Sequence, residues 1–164
     1  LPCLLSKELL DDLRIRFDYF FRYEEDETRG GSRFSFHALP DECGLVSFQN
    51  IPVGYCSFLQ KETKVTGFRW GNLAYILDIK EFAEDIFDFL KGVDTLIISA
   101  LRYTTSPAHL SVEEAIAFSR KVKAKQTWFS HICHEIDHEE ASKQLPPRFA
   151  FAYDGLEVDF LWKQ

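Results

Sequence analysis

The chain has 164 residues, 46% of them hydrophobic and 16 of them Phe, enough for one domain with a substantial aromatic core. Its net charge of -7 and pI of about 5.2 exclude general nucleic-acid binding through a basic surface, though not a phosphate substrate held by a metal. No run is apolar and long enough to span a membrane, and there is no signal-peptide pattern.

Four cysteines (Cys3, Cys43, Cys56, Cys133) are widely spaced without a CxxC, which reads as a reduced, cytoplasmic protein. The chain contains no Met and begins Leu1-Pro2. That start reads as a fragment or a processed product, so a site needing an upstream segment is expected to be incomplete in this chain.

Ser6 is placed to cap a helix, with Glu8 in its first turn. Leu9, Leu10, Leu13, Phe17 and Phe20 or Phe21 then recur at helical spacing. Residues 24–32, charged and Gly-containing, read as an exposed loop. From 33 to 78 the pattern is strand-like, in short runs at 45–48, 51–58, 64–70 and 73–77. Pro40-Asp41-Glu42 with Gly44 is turn chemistry, and Gly71-Asn72 marks a tight hairpin.

Beyond Asp78 helices and strands alternate. Residues 81–90 carry Phe82, Ile86 and Phe89 or Leu90 on one helical face, with Gly92 just past the end. Residues 95–98 form a buried strand. Ser111-Val112-Glu113-Glu114 is a capping box opening a helix to about Ala124. A strand at 126–130 follows, then a helix at 138–144 stopped by Pro146-Pro147. Residues 149–153, an Asp154-Gly155 turn and residues 156–161 make a closing hairpin. No repeat or internal boundary is visible, so 1–164 is read as a single domain.

Three of the five histidines fall in Ser130-His131-Ile132-Cys133-His134-Glu135-Ile136-Asp137-His138. His134 to His138 matches HExxH, the zinc-protease motif, whose histidines share a helical face. The other reading makes His131 a ligand at the mouth of the strand that ends in Trp128-Phe129. The strand-like run favours the second, and no histidine follows His138 to serve as a third zinc ligand. Asp78, Ser99 with Arg102, and His131 each follow a buried run. In an α/β sheet such ends converge on one edge, where ligands bind. His109 lies in a loop near that edge, just before the capping box.

The ordered set of features resembles the metallo-β-lactamase superfamily, in particular its PhnP-like branch of metal-dependent phosphodiesterases. Five pieces carry the resemblance. They are Gly67-Phe68-Arg69-Trp70-Gly71-Asn72 with Ala74-Tyr75-Ile76-Leu77-Asp78; Ser99-Ala100-Leu101-Arg102; Pro107-Ala108-His109 running into Val112-Glu113-Glu114-Ala115; the histidine-rich 130–138 stretch; and Tyr153-Asp154-Gly155.

The resemblance implies an α/β fold, the metallo-β-lactamase-like αββα sandwich, here incomplete at its N-terminus. It implies a two-metal site holding zinc or manganese. Asp78 matches the carboxylate shared by the metals, and His131 a late histidine ligand. His109 and His134 match cleft histidines that bind the phosphate or protonate the leaving oxygen, and His138 stands farther out. The family's first motif, His-x-His-x-Asp-His, is absent from the chain, and Tyr55 or Cys56 occupies a place where a histidine is expected. Ser99 and Ser106 stand where many relatives carry Asp and His. With only Asp78 and His131 matched, metal binding by this chain is expected to be weak or absent.

The implied function is a metal-dependent hydrolase, a phosphodiesterase acting on a small cyclic-phosphate or nucleotide-type phosphodiester through a metal-activated water. The alternatives are a family member that has lost its chemistry and serves as a binding or scaffold protein, and, last, an HExxH peptidase. A homodimer, with no membrane partner, completes the expectation.

Overall fold

The structure is a computed structural model that describes residues 1–21 and 34–160. The loop expected at 24–32 and the last residue of the expected closing strand lie outside the described residues. The chain divides into two compact units, Leu1–Glu42 and Cys43–Gln164.

The first unit opens with β1 (Pro2–Leu5) and α1 (Lys7–Arg16). The Ser6 side chain accepts a hydrogen bond from the Leu9 N–H and caps α1 as expected. The helix stops at Arg16, short of Phe20. Phe17 leaves helical geometry at φ -131°, and a single 3-10 turn (Asp18–Phe20) follows. That turn brings Phe20 against Phe34, ring centroids 5.0 Å apart, so aromatic packing replaces the expected last helical turns. β2 (Ser35–Ala38) pairs in parallel with β1.

The second unit is built on one seven-stranded sheet whose spatial order follows the chain. β3 (Cys43–Phe48), β4 (Ile51–Gln60), β5 (Thr63–Trp70) and β6 (Leu73–Ile76) form an antiparallel meander. The Gly71-Asn72 hairpin is present, with Trp70 opposite Leu73 and Gly71 at φ 56°, where glycine avoids the Cβ clash. β7 (Thr95–Ser99), β8 (Gln126–Ser130) and β9 (Phe149–Phe151) then add in parallel to β6. Parallel pairing requires crossovers, and α3 (Val112–Val122) and α4 (His138–Gln144) supply them between β7, β8 and β9.

Leu96, Ile98 and Phe129 project from β7 and β8 into a core closed by Ala115, Phe118 and Val122 of α3 and by Ala141 of α4. Within β5, Gly67 is a packing requirement. A Cβ there would stand 2.5 Å from Ile76 Cδ1 and 2.9 Å from Phe58 Cε1, both on buried side chains.

Three expectations fail for identifiable reasons. The helix expected at 81–90 is reduced to one turn, α2 (Ile86–Phe89). Its first residue is drawn into an isolated bridge, where Leu59 N–H donates to Glu81 O and Leu59 O accepts from Lys80 and Glu81, and a turn at 84–85 delays the helix to Ile86. The closing hairpin ends at its turn, where Leu156 N–H donates to Tyr153 O. Residues 156–160 form no ladder. Finally, Cys43 and Cys56 face each other across β3 and β4 and are joined by a disulfide, which corrects the reading of all four cysteines as reduced. Among the described residues, no helix is long and apolar enough to cross a membrane.

Candidate metal centre

The parallel strands β6, β7 and β8 run in one direction, so their C-terminal ends share one edge of the sheet. Asp78 stands two residues past β6 and His131 one residue past β8. Both backbones are left-handed, with φ 57° at Asp78 and φ 56° at His131. Asp and His are among the few non-glycine residues that enter this region readily, and such conformations concentrate at functional sites. The reversal turns each chain off its strand at the sheet edge.

His109 arrives from the β7–α3 loop. Leu101 N–H donates to Leu110 O and Val112 N–H to Arg102 O, closing that loop on itself. The Ser106 hydroxyl accepts from Ala108 N–H inside it. Ser111 caps α3 in the expected reciprocal box with Glu114.

Glu114 does a second job. One oxygen accepts from Ser111 N–H at 2.7 Å and the other from Lys80 Nζ at 2.9 Å. Lys80 is two residues beyond Asp78, so the pair ties the Asp78 loop to the base of the His109 loop. Burial pushes the Glu114 carboxyl up, but the bonds from Lys80 and Ser111 outweigh it and leave the pKa below the ordinary value.

The three side chains meet. Asp78 Oδ1 lies 3.4 Å from His109 Nδ1 and 3.3 Å from His131 Nε2. The two imidazoles approach edge-on, ring centroids 4.7 Å apart. One donor atom from each of Asp78, His109 and His131 falls within 4.8 Å of the others, close enough to share one cation. His109 is the most enclosed, and its pKa is lowered by burial, by the neighbouring His131 and by Lys61, against an upward pull from Asp78. A neutral imidazole keeps the lone pair a metal needs.

His134 is not in this group. It lies in the exposed turn after β8. The HExxH reading is overturned by the same segment. β8 runs to Ser130, turns occupy 131–137, and α4 begins only at His138, capped by Asp137. His134 and His138 therefore share no helical face. His138 Nε2 instead lies 3.3 Å from Ala152 O. Cys56 supplies no thiolate, being bonded to Cys43, and Tyr55 is buried in β4 beside Gly44.

Sequence reasoning missed Gln60 and Lys61. They end β4 and enter the β4–β5 turn, and Gln60 Nε2 lies 3.1 Å from His109 Nε2. Turn residues at 60–63 could be read locally, but a contact across 49 positions leaves no local signal.

A sequence model of the "Beta-lactamase superfamily domain" matches residues 1–132. The chain belongs to the metallo-β-lactamase superfamily, in its PhnP-like branch. It superimposes on the crystal structure of a new diphosphatase from the PhnP family with a TM-score of 0.84 and 27% identity, covering 98% of this chain and 58% of that one. It shares the fold of Zn(2+)-bound PqqB from Methylobacterium extorquens, with a TM-score of 0.65 and 18% identity, covering 98% of this chain and 65% of that one. In sequence it is 28% identical over 156 residues to an octanoyltransferase of Porphyromonas gingivalis (strain ATCC BAA-308 / W83), covering 93% of this chain. The chain thus spans 31% of that curated relative and less than two thirds of either solved chain.

Proposed function

We propose that this chain carries a divalent-metal site of a hydrolase that cleaves phosphoester bonds, acting on a cyclic phosphate, a nucleotide-type phosphodiester or a diphosphate ester. The observation that carries the reading is the convergence of Asp78, His109 and His131 at the C-terminal edge of the parallel strands. One carboxylate and two imidazoles suit zinc or manganese. A divalent ion, when bound, supplies Lewis acidity, lowering the pKa of water toward neutrality and neutralising charge on phosphoryl oxygens.

The protein's own groups have separable tasks. Asp78, fixed beyond β6, contributes the negative charge that makes the cluster attractive to a cation. His109 and His131 contribute neutral donors. The Lys80–Glu114 pair holds the Asp78 loop and the start of α3 in register, a positioning role. His134, free of the triad and exposed, is the candidate to protonate the leaving oxygen. The PhnP-family likeness supports phosphoester chemistry.

The test is hydrolysis of bis(p-nitrophenyl) phosphate by the chain supplied with manganese or zinc. Turnover lost in Asp78→Ala and His131→Ala, and reduced in His134→Ala without loss of metal, supports the reading. Metal binding without turnover of phosphodiesters or diphosphate esters supports a binding protein instead.

A further inference from the structure

The β4–β5 turn borders the triad but has no part in it. Gln60 and Thr63 pair across the turn, and Lys61 sits between them at φ 55°. The contact from Gln60 Nε2 to His109 brings this turn to the rim of the site. Gln60, Lys61, Glu62, Thr63 and Ala108 line a cleft of about 520 Å³. A water molecule occupies about 30 Å³ of liquid, so the cleft has room for several polar groups beyond whatever the triad holds.

Its chemistry suits an anion. The Lys61 ammonium, the Gln60 carboxamide and the Thr63 hydroxyl are all hydrogen-bond donors. Lys61 is exposed and, among the described residues, makes no ion pair. Its charge is nevertheless felt at His109. Glu62, also lining the cleft, opposes an anion and sets a ceiling on the attraction. An anion bound at the turn would therefore sit beside a group held at the triad. A diphosphate ester places its two phosphoryl groups side by side in this way, whereas a simple phosphodiester has no second anion to offer.

We propose that Lys61, with Gln60 and Thr63, forms an anion subsite for the non-reacting phosphoryl group of a diphosphate ester. The inference rests on reading the triad as a metal centre for phosphoester cleavage, and selects among its substrates. Recognition at the subsite needs no metal, so the two can fail separately.

The test is calorimetric titration of the metal-free chain at low salt with inorganic diphosphate and with inorganic phosphate. Diphosphate is expected to bind more tightly than phosphate. Lys61→Ala should weaken diphosphate about tenfold, the scale of one charge-assisted hydrogen bond, and Glu62→Gln should tighten it. Equal diphosphate affinity in the wild type and Lys61→Ala, or no binding by a folded wild type, would overturn the subsite. A parallel zinc titration keeps the readings apart. Lys61→Ala should still bind zinc, whereas failure of the metal-centre reading appears as no zinc binding in the wild type.

Discussion

Asp78 and His131 stand two strands apart, beyond the C-terminal ends of β6 and β8, with Asp78 Oδ1 3.3 Å from His131 Nε2. Both are held at left-handed φ. The backbone there favours glycine, yet two ligand-type side chains occupy it.

That conflict predicts a separation of stability from binding. Asp78→Gly relieves a left-handed conformation that costs an L-residue roughly 1–2 kcal/mol, offset by the extra chain entropy of glycine. Asp78→Gly should therefore be more stable than Asp78→Ala by about 1 kcal/mol in denaturant unfolding, while both lose metal binding. Asp78→Ala matching Asp78→Gly in stability would show that the loop relaxes on substitution.

Glu114 gives a pH-dependent prediction. Its folded pKa lies below the ordinary 4.5, so its contribution is present above that value and is lost as pH falls through the folded pKa. Glu114→Ala removes both the capping-box partner and the Lys80 bond, and should cost about 1–2 kcal/mol at pH 7. The difference from wild type should shrink below about pH 4.5, read by denaturant midpoints across the acid range.

Gly67 tests the sheet packing beneath the site. A Cβ within 3 Å of both Ile76 Cδ1 and Phe58 Cε1 cannot be absorbed by swinging an exposed chain end, since both side chains are buried. Gly67→Ala should destabilise by about 1–3 kcal/mol, the usual range for overpacking. Ile76→Val in the same background should recover part of the loss.

His109 in the metal-free protein should titrate below the ordinary 6.5 because burial, His131 and Lys61 all disfavour its charged form. Its neutral form is the one favoured in the fold. Stability therefore falls as pH drops below 6.5 toward the folded pKa, where the unfolded chain takes the proton first. Lys61→Ala should raise the His109 pKa in an NMR titration. A fall, or no change, would show that the Lys61 ammonium lies away from the ring.

Local chemistry was the legible part of the chain. The Ser111–Glu114 box, the Gly71-Asn72 turn and the bounds of α4 depend on residues within a few positions, and each forms where its residues predict. The strand-end placement of Asp78 and His131 was also readable, because buried runs followed by polar residues mark the active edge of a parallel sheet. What escaped was non-local. Residues 81–85 carry a helical pattern, but Leu59 captures the backbone of Lys80 and Glu81 at its start. His134 to His138 satisfies HExxH letter by letter, yet non-helical backbone over 131–137 separates β8 from α4, whose Asp137 cap sets its start at His138. Cys43 and Cys56 are 13 positions apart in sequence, and only strand register sets them face to face. His109 was legible as a loop residue near the Asp78 edge and meets Asp78 there, but its contact with Gln60, 49 positions away, left no sequence signature.

The central claim is that Asp78, His109 and His131 form a cation site, and calorimetric titration of the chain with zinc and manganese tests it most directly. Two matched ligands gave an expectation of weak binding; the third donor, His109, changes the arithmetic to the three protein ligands of an open catalytic site. The account predicts saturable binding that is lost in Asp78→Ala and weakened in His109→Ala and His131→Ala, with His134→Ala unchanged. A folded wild-type chain that binds neither ion, or binding that survives Asp78→Ala, would contradict it.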